Sequence, residues 1–408
     1  MRRWIGSALV CMTGGALVAM SLPADGVSER ARKIHFSSIV MDTHDDTTQR
    51  FLGGKFDLGE RHADGSIDIP RMKEGGMGGI FFSIWMPGTV TGPVAVQRAL
   101  DQIDAVREQI RRHPNDIVLA KTAAEVRDAR KQGKIAGLMG VEGGHMINND
   151  LGVLRSFAAL GVRYMTLTHS VNDDWADSST DKSAHNGLTE FGKDVVREMN
   201  RLGMVADISH VSDKTFYDVL EVSKAPVLAS HSSCRAICDH PRNMTDEMMK
   251  ALAAKSGVIH INYNMGFLSQ EFRDAQKNDP ELGKAIQAEI KKRCGGEEES
   301  CSLIEGEKVT REFVAQGKLP RVTWEKIVEH IDHAVKVAGA DHVGLGSDFD
   351  GANMPFGMED AGKLPVLTEA LLKKGYSESD VRKILGENTL RVMNEVERVS
   401  RELNAVKK

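Results

Sequence analysis

The chain has 408 residues, and its 53 Lys and Arg against 58 Asp and Glu give a formal net charge of −5. Hydrophobic residues make up 41% and charged residues 27%, a globular composition that excludes disordered, collagen-like and polytopic membrane proteins. The slightly acidic balance without Lys/Arg runs, together with 5% aromatic residues, argues against nucleic acid as the main partner.

The first 24 residues have the pattern of a secretory signal peptide. Arg2 and Arg3 precede a mostly apolar stretch, and Pro23 marks a return to polar sequence. We therefore expect residues 1–24 to be a signal peptide and the mature chain to be secreted or periplasmic, with no membrane span once the signal is cleaved. An uncleaved N-terminal anchor is the alternative.

Eight β-rich runs recur along the rest of the chain, separated by amphipathic helical patterns such as Ala95–His113 and Leu188–Leu202. Strands that alternate with helices indicate parallel βαβ units, and eight such units predict an α/β fold, a closed (β/α)8 TIM-like barrel. We expect residues 25–408 to form a single barrel domain. The predicted strands, in order, are Ser38–Asp46, Gly78–Trp85, Ile135–Glu142, Arg163–His169, Val205–His210, Val227–His231, Val258–Tyr263 and His342–Asp348.

One connection, at about residues 266–340, is much longer than the others and carries charged helical segments, so we predict an inserted lid between strands 7 and 8. Cys294 and Cys301 flank polar residues within it and are suited to a disulfide-closed loop in an oxidising compartment. Cys234 and Cys238 lie four residues apart after a predicted strand. Their sequence leaves open whether they are free, bridged or buried.

Histidines and acidic residues fall at the C-terminal ends of the predicted strands, where barrel enzymes hold their active sites. His44 and Asp46 share one face at the end of strand 1 and can give one nitrogen and one oxygen ligand to a metal. Glu142, at the end of strand 3, can bridge two cations. His210 and His231 end consecutive strands at equivalent heights, which favours two ligands of one metal over two core histidines.

Together these side chains predict a site for two divalent cations roughly 3.5–4 Å apart, with a water between them that is acidified and aimed at a carbonyl. Asp348 on strand 8 is the candidate general acid/base, with a turn or helix cap as the alternative. Arg242, in the loop after strand 6, could clamp a carboxylate or be an ordinary surface arginine.

From about Ile39 to Val392 the chain resembles the membrane (renal) dipeptidase family of di-zinc dipeptidases, and would be a bacterial secreted member. The resemblance rests on motifs in matching order and spacing. These are Asp42-Thr43-His44-Asp45-Asp46, Gly140-Val141-Glu142-Gly143-Gly144, Leu167-Thr168-His169-Ser170-Val171-Asn172, Asp207-Ile208-Ser209-His210, Ser230-His231-Ser232-Ser233, Arg242-Asn243 and Gly346-Ser347-Asp348-Phe349-Asp350-Gly351.

The resemblance implies two Zn²⁺ per chain and suggests a homodimer. It implies that His169 contacts the substrate carbonyl and the developing oxyanion, and that Arg242 takes the free C-terminal carboxylate. Asp348 would move the proton to the leaving amine, and Tyr263 would contact the substrate, with a core or rim tyrosine as the alternative. The implied zinc ligands are His44, Asp46, Glu142, His210 and His231.

Two positions depart from the family's first motif, which commonly has Gly and Asn where Thr43 and Asp45 stand. We expect Asp45 to add a negative charge at the mouth of the site, which would affect specificity on the amine side. Family members accept a broad range of dipeptides, including a D-residue at the C-terminal position.

The leading interpretation is a zinc dipeptidase for L-L and L-D dipeptides with a free C-terminal carboxylate. The alternative is an amidohydrolase-like barrel acting on N-acyl amino acids, other amides or lactones, and the role of Arg242 and the need for a free α-amine would separate the two. A third interpretation is a catalytically silent binding protein. The intact ligand set and Asp348 argue against it.

Overall fold

The computed structural model describes residues 26–295 and 299–405. The predicted signal peptide, residues 1–24, lies outside these ranges. Within them, none of the helices combines the length and the apolar character needed to cross a membrane.

The core is a parallel sheet that curls into a nearly closed barrel of eight strands in the order β1-β2-β4-β5-β6-β7-β8-β9. The additional strand β3 pairs with the first three residues of β4. The ends meet at a parallel bridge between Asp45 and Phe349, where the Asp46 N–H donates to the Phe349 carbonyl over 2.9 Å. The predicted TIM-like barrel is therefore confirmed. The strands are β1 Val40–Asp45, β2 Met77–Trp85, β3 Ile117–Leu119, β4 Ile135–Glu142, β5 Val162–Thr166, β6 Val205–Asp207, β7 Leu228–Ser232, β8 Val258–Ile261 and β9 Val343–Leu345.

Helices cover the outside of the barrel, which explains why strands such as β2 and β4 are buried at every position and read as continuous apolar runs. Sequence signals set the helix ends. Thr122 and Glu125 form a capping box at the start of one helix, and Gly161 and Gly203 end two others in the left-handed conformation. The helices are α1 Glu29–Ser37, α2 Thr48–Phe51, α3 Ile69–Glu74, α4 Pro93–Arg112, α5 Ala123–Lys131, α6 Leu151–Leu160, α7 Glu190–Leu202, α8 Asp213–Val222, α9 Asp246–Ala254, α10 Met265–Leu268, α11 Gln270–Asn278, α12 Pro280–Cys294, α13 Glu299–Ala315, α14 Glu325–Ala338, α15 Pro365–Lys373, α16 Glu378–Arg382 and α17 Asn388–Ala405.

The long connection between β8 and β9 contains α10 to α14. Helices α12 and α13 pack against each other and are joined by the disulfide Cys294–Cys301 that the sequence predicted. Helix α14 packs on β8 and β9 as an ordinary outer helix of the barrel, so the added segment is α10 to α13. Cys234 and Cys238 are buried and free.

Three predicted strands are too long at the end that faces the site. They were expected to reach His169, His210 and Asp348, whereas β5, β6 and β9 stop three residues before those positions. His210 and Asp348 have φ angles of 68° and 64°, a left-handed backbone that cannot continue a strand. His169, His210 and Asp348 therefore lie on the first turn beyond their strands, whereas His44, Glu142 and His231 lie on the strands themselves.

Candidate metal centre and active site

Glu142, the last residue of β4, lies at the centre of the candidate site and is 3% exposed. Its Oε1 is 3.0 Å from His210 Nε2 and 3.2 Å from His231 Nε2. Its Oε2 is 3.5 Å from His44 Nε2, which in turn is 3.4 Å from Asp46 Oδ1. The structure thus brings all five predicted metal ligands to one place, at the carboxyl ends of four strands.

The donor atoms form overlapping groups that could each hold one ion. In each group the ligand atoms lie within 4.8 Å of one another, and Glu142 belongs to two groups. A shared carboxylate with nitrogen donors on both sides is the arrangement that places two cations side by side. The groups are His44, Glu142 and His231; Glu142, His169 and His210; and His44, Asp46 and Asp348.

The residues fit a metal. His210 Nε2 and His231 Nε2 face each other at 3.0 Å beside the same carboxylate oxygen. Two imidazole nitrogens and a carboxylate oxygen this close together form a donor set that a cation can occupy. Buried donor atoms of His44 and Asp46, Nε2 and Oδ1, also have no hydrogen-bond partner. Nitrogen and oxygen donors in this number suit zinc, which binds both atom types.

At Glu142, His210 and His231 the electrostatics favour the protonation states that metal binding requires. Burial by itself would lower the pKa of His44, but the surrounding groups, Tyr164 foremost, hold it well above its ordinary value. Burial by itself would raise the pKa of Glu142, but the surrounding histidines, His44 foremost, hold it well below its ordinary value. Burial lowers the pKa values of His210 and His231 well below that of a free imidazole. A charged carboxylate and neutral imidazoles are the forms that ligate a metal.

Further buried groups, to which the sequence assigned no role, hold the candidate ligands His44 and His231 in place. Tyr164, inside the barrel, has its hydroxyl 2.9 Å from His44 Nδ1. Ser230 Oγ lies 2.7 Å from His231 Nδ1 and donates to Asp207 Oδ2 over 2.6 Å. Such partners fix the ring orientation and tautomer of ligating histidines.

Asp348 lies beside the metal centre, is 8% exposed and accepts a hydrogen bond of 2.8 Å from Asn262 Nδ2. Burial and the negative charge of Asp46 raise its pKa to about 8. A carboxyl group whose pKa lies near neutral can both take up and release a proton at working pH.

Arg242 is 5% exposed, and its Nη2 donates to the backbone carbonyl of His231 over 3.1 Å. Its Nε and Nη1 have no partner, and burial lowers its pKa only to about 10, so the side chain stays charged. Tyr263 is fully buried with an unpartnered hydroxyl. His169 Nε2 lies 3.9 Å from Glu142 Oε1. Of the predicted substrate-contacting residues, Arg242 and Tyr263 thus have buried donor groups without a hydrogen-bond partner.

Asp45 is not at the mouth of the site, so that expectation was wrong. The side chain is fully buried and accepts hydrogen bonds from the backbone N–H of Thr47 over 3.2 Å and its hydroxyl over 2.9 Å. Side chains alternate along a strand, so with His44 and Asp46 directed inward, Asp45 faces the other way. It lies at the seam where β1 meets the residues after β9.

A parallel α/β barrel with a buried His and carboxylate cluster at the carboxyl ends of its strands is typical of metal-dependent barrel enzymes. The sequence profile of the membrane dipeptidase family, peptidase family M19, matches residues 28–407. The chain therefore belongs to the membrane dipeptidase family, and it is a metal-dependent dipeptidase.

Solved structures agree with this assignment. The probable dipeptidase PvdM from Pseudomonas aeruginosa is 27% identical, with 91% of this chain and 98% of that chain covered and a TM-score of 0.77. A metallo peptidase from Rhodobacter sphaeroides, liganded with a phosphinate mimic of L-Ala-D-Ala, is 28% identical, with 88% and 99% covered and a TM-score of 0.71. An amidohydrolase from Pseudomonas aeruginosa is 25% identical, with 90% and 98% covered and a TM-score of 0.67.

Proposed function

We propose that the chain hydrolyses dipeptides with a free C-terminal carboxylate. The observation that carries this proposal is Arg242, a buried guanidinium at the edge of the metal centre with two unpartnered nitrogen atoms. A buried charge is unfavourable unless a partner of opposite charge binds it, and a carboxylate matches the planar fork of an arginine. A dipeptide supplies that carboxylate about one residue from the bond to be cleaved.

The proposed metal set is two Zn²⁺ held by the predicted five ligands, with Glu142 between them. The metals would supply an activated water and polarise the scissile carbonyl. His169 Nδ1 is buried without a partner, and a bare nitrogen is less costly there than an orphaned N–H. The proton then lies on Nε2, from which His169 donates to the carbonyl oxygen. Asp348, with its raised pKa, carries a proton to the leaving amine.

Both L-L and L-D dipeptides are proposed substrates. The metallo peptidase from Rhodobacter sphaeroides was solved with a mimic of L-Ala-D-Ala, which supports acceptance of a D-residue at the C-terminal position. A periplasmic or secreted location is supported by the disulfide Cys294–Cys301, because structural disulfides persist in oxidising compartments. We also propose residues 25–408 as one catalytic domain.

A second candidate function is hydrolysis of N-acyl amino acids or other amides. The similarity to an amidohydrolase from Pseudomonas aeruginosa supports it. The same metal centre would serve both reactions. Arg242 could hold the carboxylate of an N-acyl amino acid as well, so only the need for a free α-amine separates these two substrate classes.

The test is a panel of L-L and L-D dipeptides, each with its C-terminal amide and its N-acetyl derivative, assayed on protein whose metal content is measured. We expect turnover of the free dipeptides, a loss of several-fold or more in kcat/KM for the amides, and weak turnover of the N-acetyl forms. N-acetyl substrates hydrolysed as fast as free dipeptides would establish the second function instead.

A further inference from the structure

Trp85, the last residue of β2, faces the interior of the barrel beside the metal centre. It is the register partner of Glu142 on the neighbouring strand, so the two side chains leave the sheet on the same side. Two residues earlier, Ser83 Oγ lies 3.4 Å from Glu142 Oε2. Trp85 is thus one step above Ser83 on the interior face, at the level where a substrate would lie.

The backbone of Trp85 is fixed from behind. Gln102 on α4 accepts its N–H over 2.8 Å and donates to its carbonyl over 2.6 Å. Gln49 on α2 donates to the same carbonyl over 2.7 Å. The indole packs edge-on against His169 at a centroid distance of 5.9 Å. These contacts hold the indole at one position without using its N–H group.

Trp85 is only 9% exposed, and its indole Nε1 is buried and has no hydrogen-bond partner. A buried N–H donor without an acceptor is unfavourable, so this position calls for an acceptor from outside the chain. Because the indole packs against His169 and leaves β2 on the same side of the sheet as Glu142, that acceptor would belong to the substrate.

The barrel topology says which half of the substrate reaches Trp85. In the ring of eight strands β2 and β7 are four positions apart and therefore face each other, and Arg242 follows β7. A dipeptide whose carboxylate lies at Arg242 crosses the metal centre and directs its amino-terminal residue toward β2. An ammonium group has no lone pair to accept from the indole, and the peptide carbonyl is directed at His169.

From this arrangement we infer that Trp85 is a specificity-determining residue whose indole N–H binds a side-chain oxygen of the substrate's amino-terminal residue. The inference rests on the proposed function, because it takes the carboxylate of a dipeptide to lie at Arg242. It assigns the preferred substrates to a chemical class, dipeptides that begin with a residue carrying a hydroxyl, amide or carboxylate acceptor.

The experiment compares Thr-Ala with Val-Ala, which differ by a hydroxyl against a methyl at nearly constant shape. In the wild-type enzyme we expect kcat/KM for Thr-Ala to exceed that for Val-Ala by about five- to tenfold, the size of one hydrogen bond to a buried donor. Trp85→Phe keeps an aromatic ring and removes the N–H, so the ratio should fall to about one.

Trp324→Phe, at the start of α14, is the matched control and should keep the wild-type ratio. Metal content and thermal unfolding are measured on all three proteins. A wild-type ratio near one, or the same ratio in Trp85→Phe as in wild type, would overturn the inference while leaving the dipeptidase proposal intact. Failure of the metal-loaded wild type to hydrolyse either dipeptide would instead overturn the proposed function.

Discussion

Asp207 and His231 are joined through a single hydroxyl group. Ser230 Oγ donates its only proton to Asp207 Oδ2 over 2.6 Å and lies 2.7 Å from His231 Nδ1. With that proton used, Nδ1 must be the donor to Ser230, so His231 carries its proton on Nδ1 and leaves Nε2 bare. Nε2 is the atom that faces Glu142 and His210. The carboxylate thereby sets the tautomer that a metal ligand needs.

Asp207→Asn is therefore expected to weaken metal binding about 10- to 100-fold, the usual effect of losing a partner that orients a ligating histidine. Ser230→Ala should act in the same direction, since it breaks the same connection. Metal affinity is measured by competition with a chelator. Asp177→Asn is the control, because Asp177 is a buried carboxylate that accepts backbone N–H groups of Gly187 and Ala184. Unchanged affinity in both test variants would remove the connection from the metal site.

Glu142→Gln is expected to lose both metals, whereas His44→Ala should retain one. The Gln side chain removes a negative charge from between two cations, and that charge offsets their mutual repulsion. Elemental analysis of protein purified in excess zinc gives the metal-to-chain ratio directly. If Glu142→Gln retained two metals at wild-type affinity, this carboxylate would not be the bridge.

Asp348→Asn separates proton transfer from metal binding. The substitution keeps the shape and removes the titrating group, so kcat should fall by about 10²–10⁴-fold with KM little changed. Metal content should stay at the wild-type level. Asp348 also lies within ligand distance of His44 and Asp46. A drop in metal occupancy would therefore make it a ligand, and near-wild-type kcat would pass its role to another group, His169 first.

Arg242→Lys tests recognition of the carboxylate. An ammonium group offers a point charge where the guanidinium offers two parallel donors, so kcat/KM for free dipeptides should fall at least several-fold. The C-terminal amides, which lack the carboxylate, should lose much less. Comparing the wild type with Arg242→Lys on free dipeptides and on their C-terminal amides isolates the contact between Arg242 and the carboxylate. Equal losses on acids and amides would show that Arg242 acts on the fold rather than on the substrate.

Stability should fall on acidification because several buried histidines are neutral. Burial lowers the pKa values of His35, His260 and His330 to about 4. The unfolded chain, with ordinary values near 6.5, binds more protons between pH 6.5 and 4, so the free energy of unfolding decreases as pH falls through that window. The loss is about 3 kcal/mol at most for each ring.

Denaturant unfolding of chelator-treated protein at pH 7.5 and 4.5 measures this loss. His35 has both ring nitrogens bonded, to Thr368 Oγ1 and the Gly75 carbonyl, so His35→Gln should be less stable at pH 7.5 and show a smaller drop to pH 4.5. His342→Gln, at a half-buried position, is the control. An identical pH-dependent drop in wild type and His35→Gln would contradict the prediction.

The order of elements and the identity of the clustered residues could be read from the sequence. Alternating strands and helices are local patterns, and parallel strands in a barrel must bring their carboxyl ends to one face. The sequence therefore predicts that residues as far apart as His44 and Asp348 come together. The sequence did not predict β3, a three-residue strand that lies off the ring of eight and pairs only with β4.

Other features depended on packing between distant segments. The site-facing turns were taken as strand because the positive φ angles at His210 and Asp348 occur in non-glycine residues, where the sequence signals them only weakly. Gly140 is a position where the sequence does indicate close packing. A Cβ there would lie 2.0 Å from the Tyr164 ring, so the glycine makes room for the residue that orients His44.

Hydrophobic periodicity and strand direction therefore predict the barrel and the residue types that meet at the site, whereas the family is identified by the resemblance of its motifs. Tertiary packing alone turns Asp45 away into the seam, connects Asp207 to His231 through Ser230, and leaves the buried indole N–H of Trp85 without a partner. These are orientations of side chains on different strands. They depend on the register between neighbouring strands and on the burial of hydrogen-bonding atoms, and a linear pattern encodes neither.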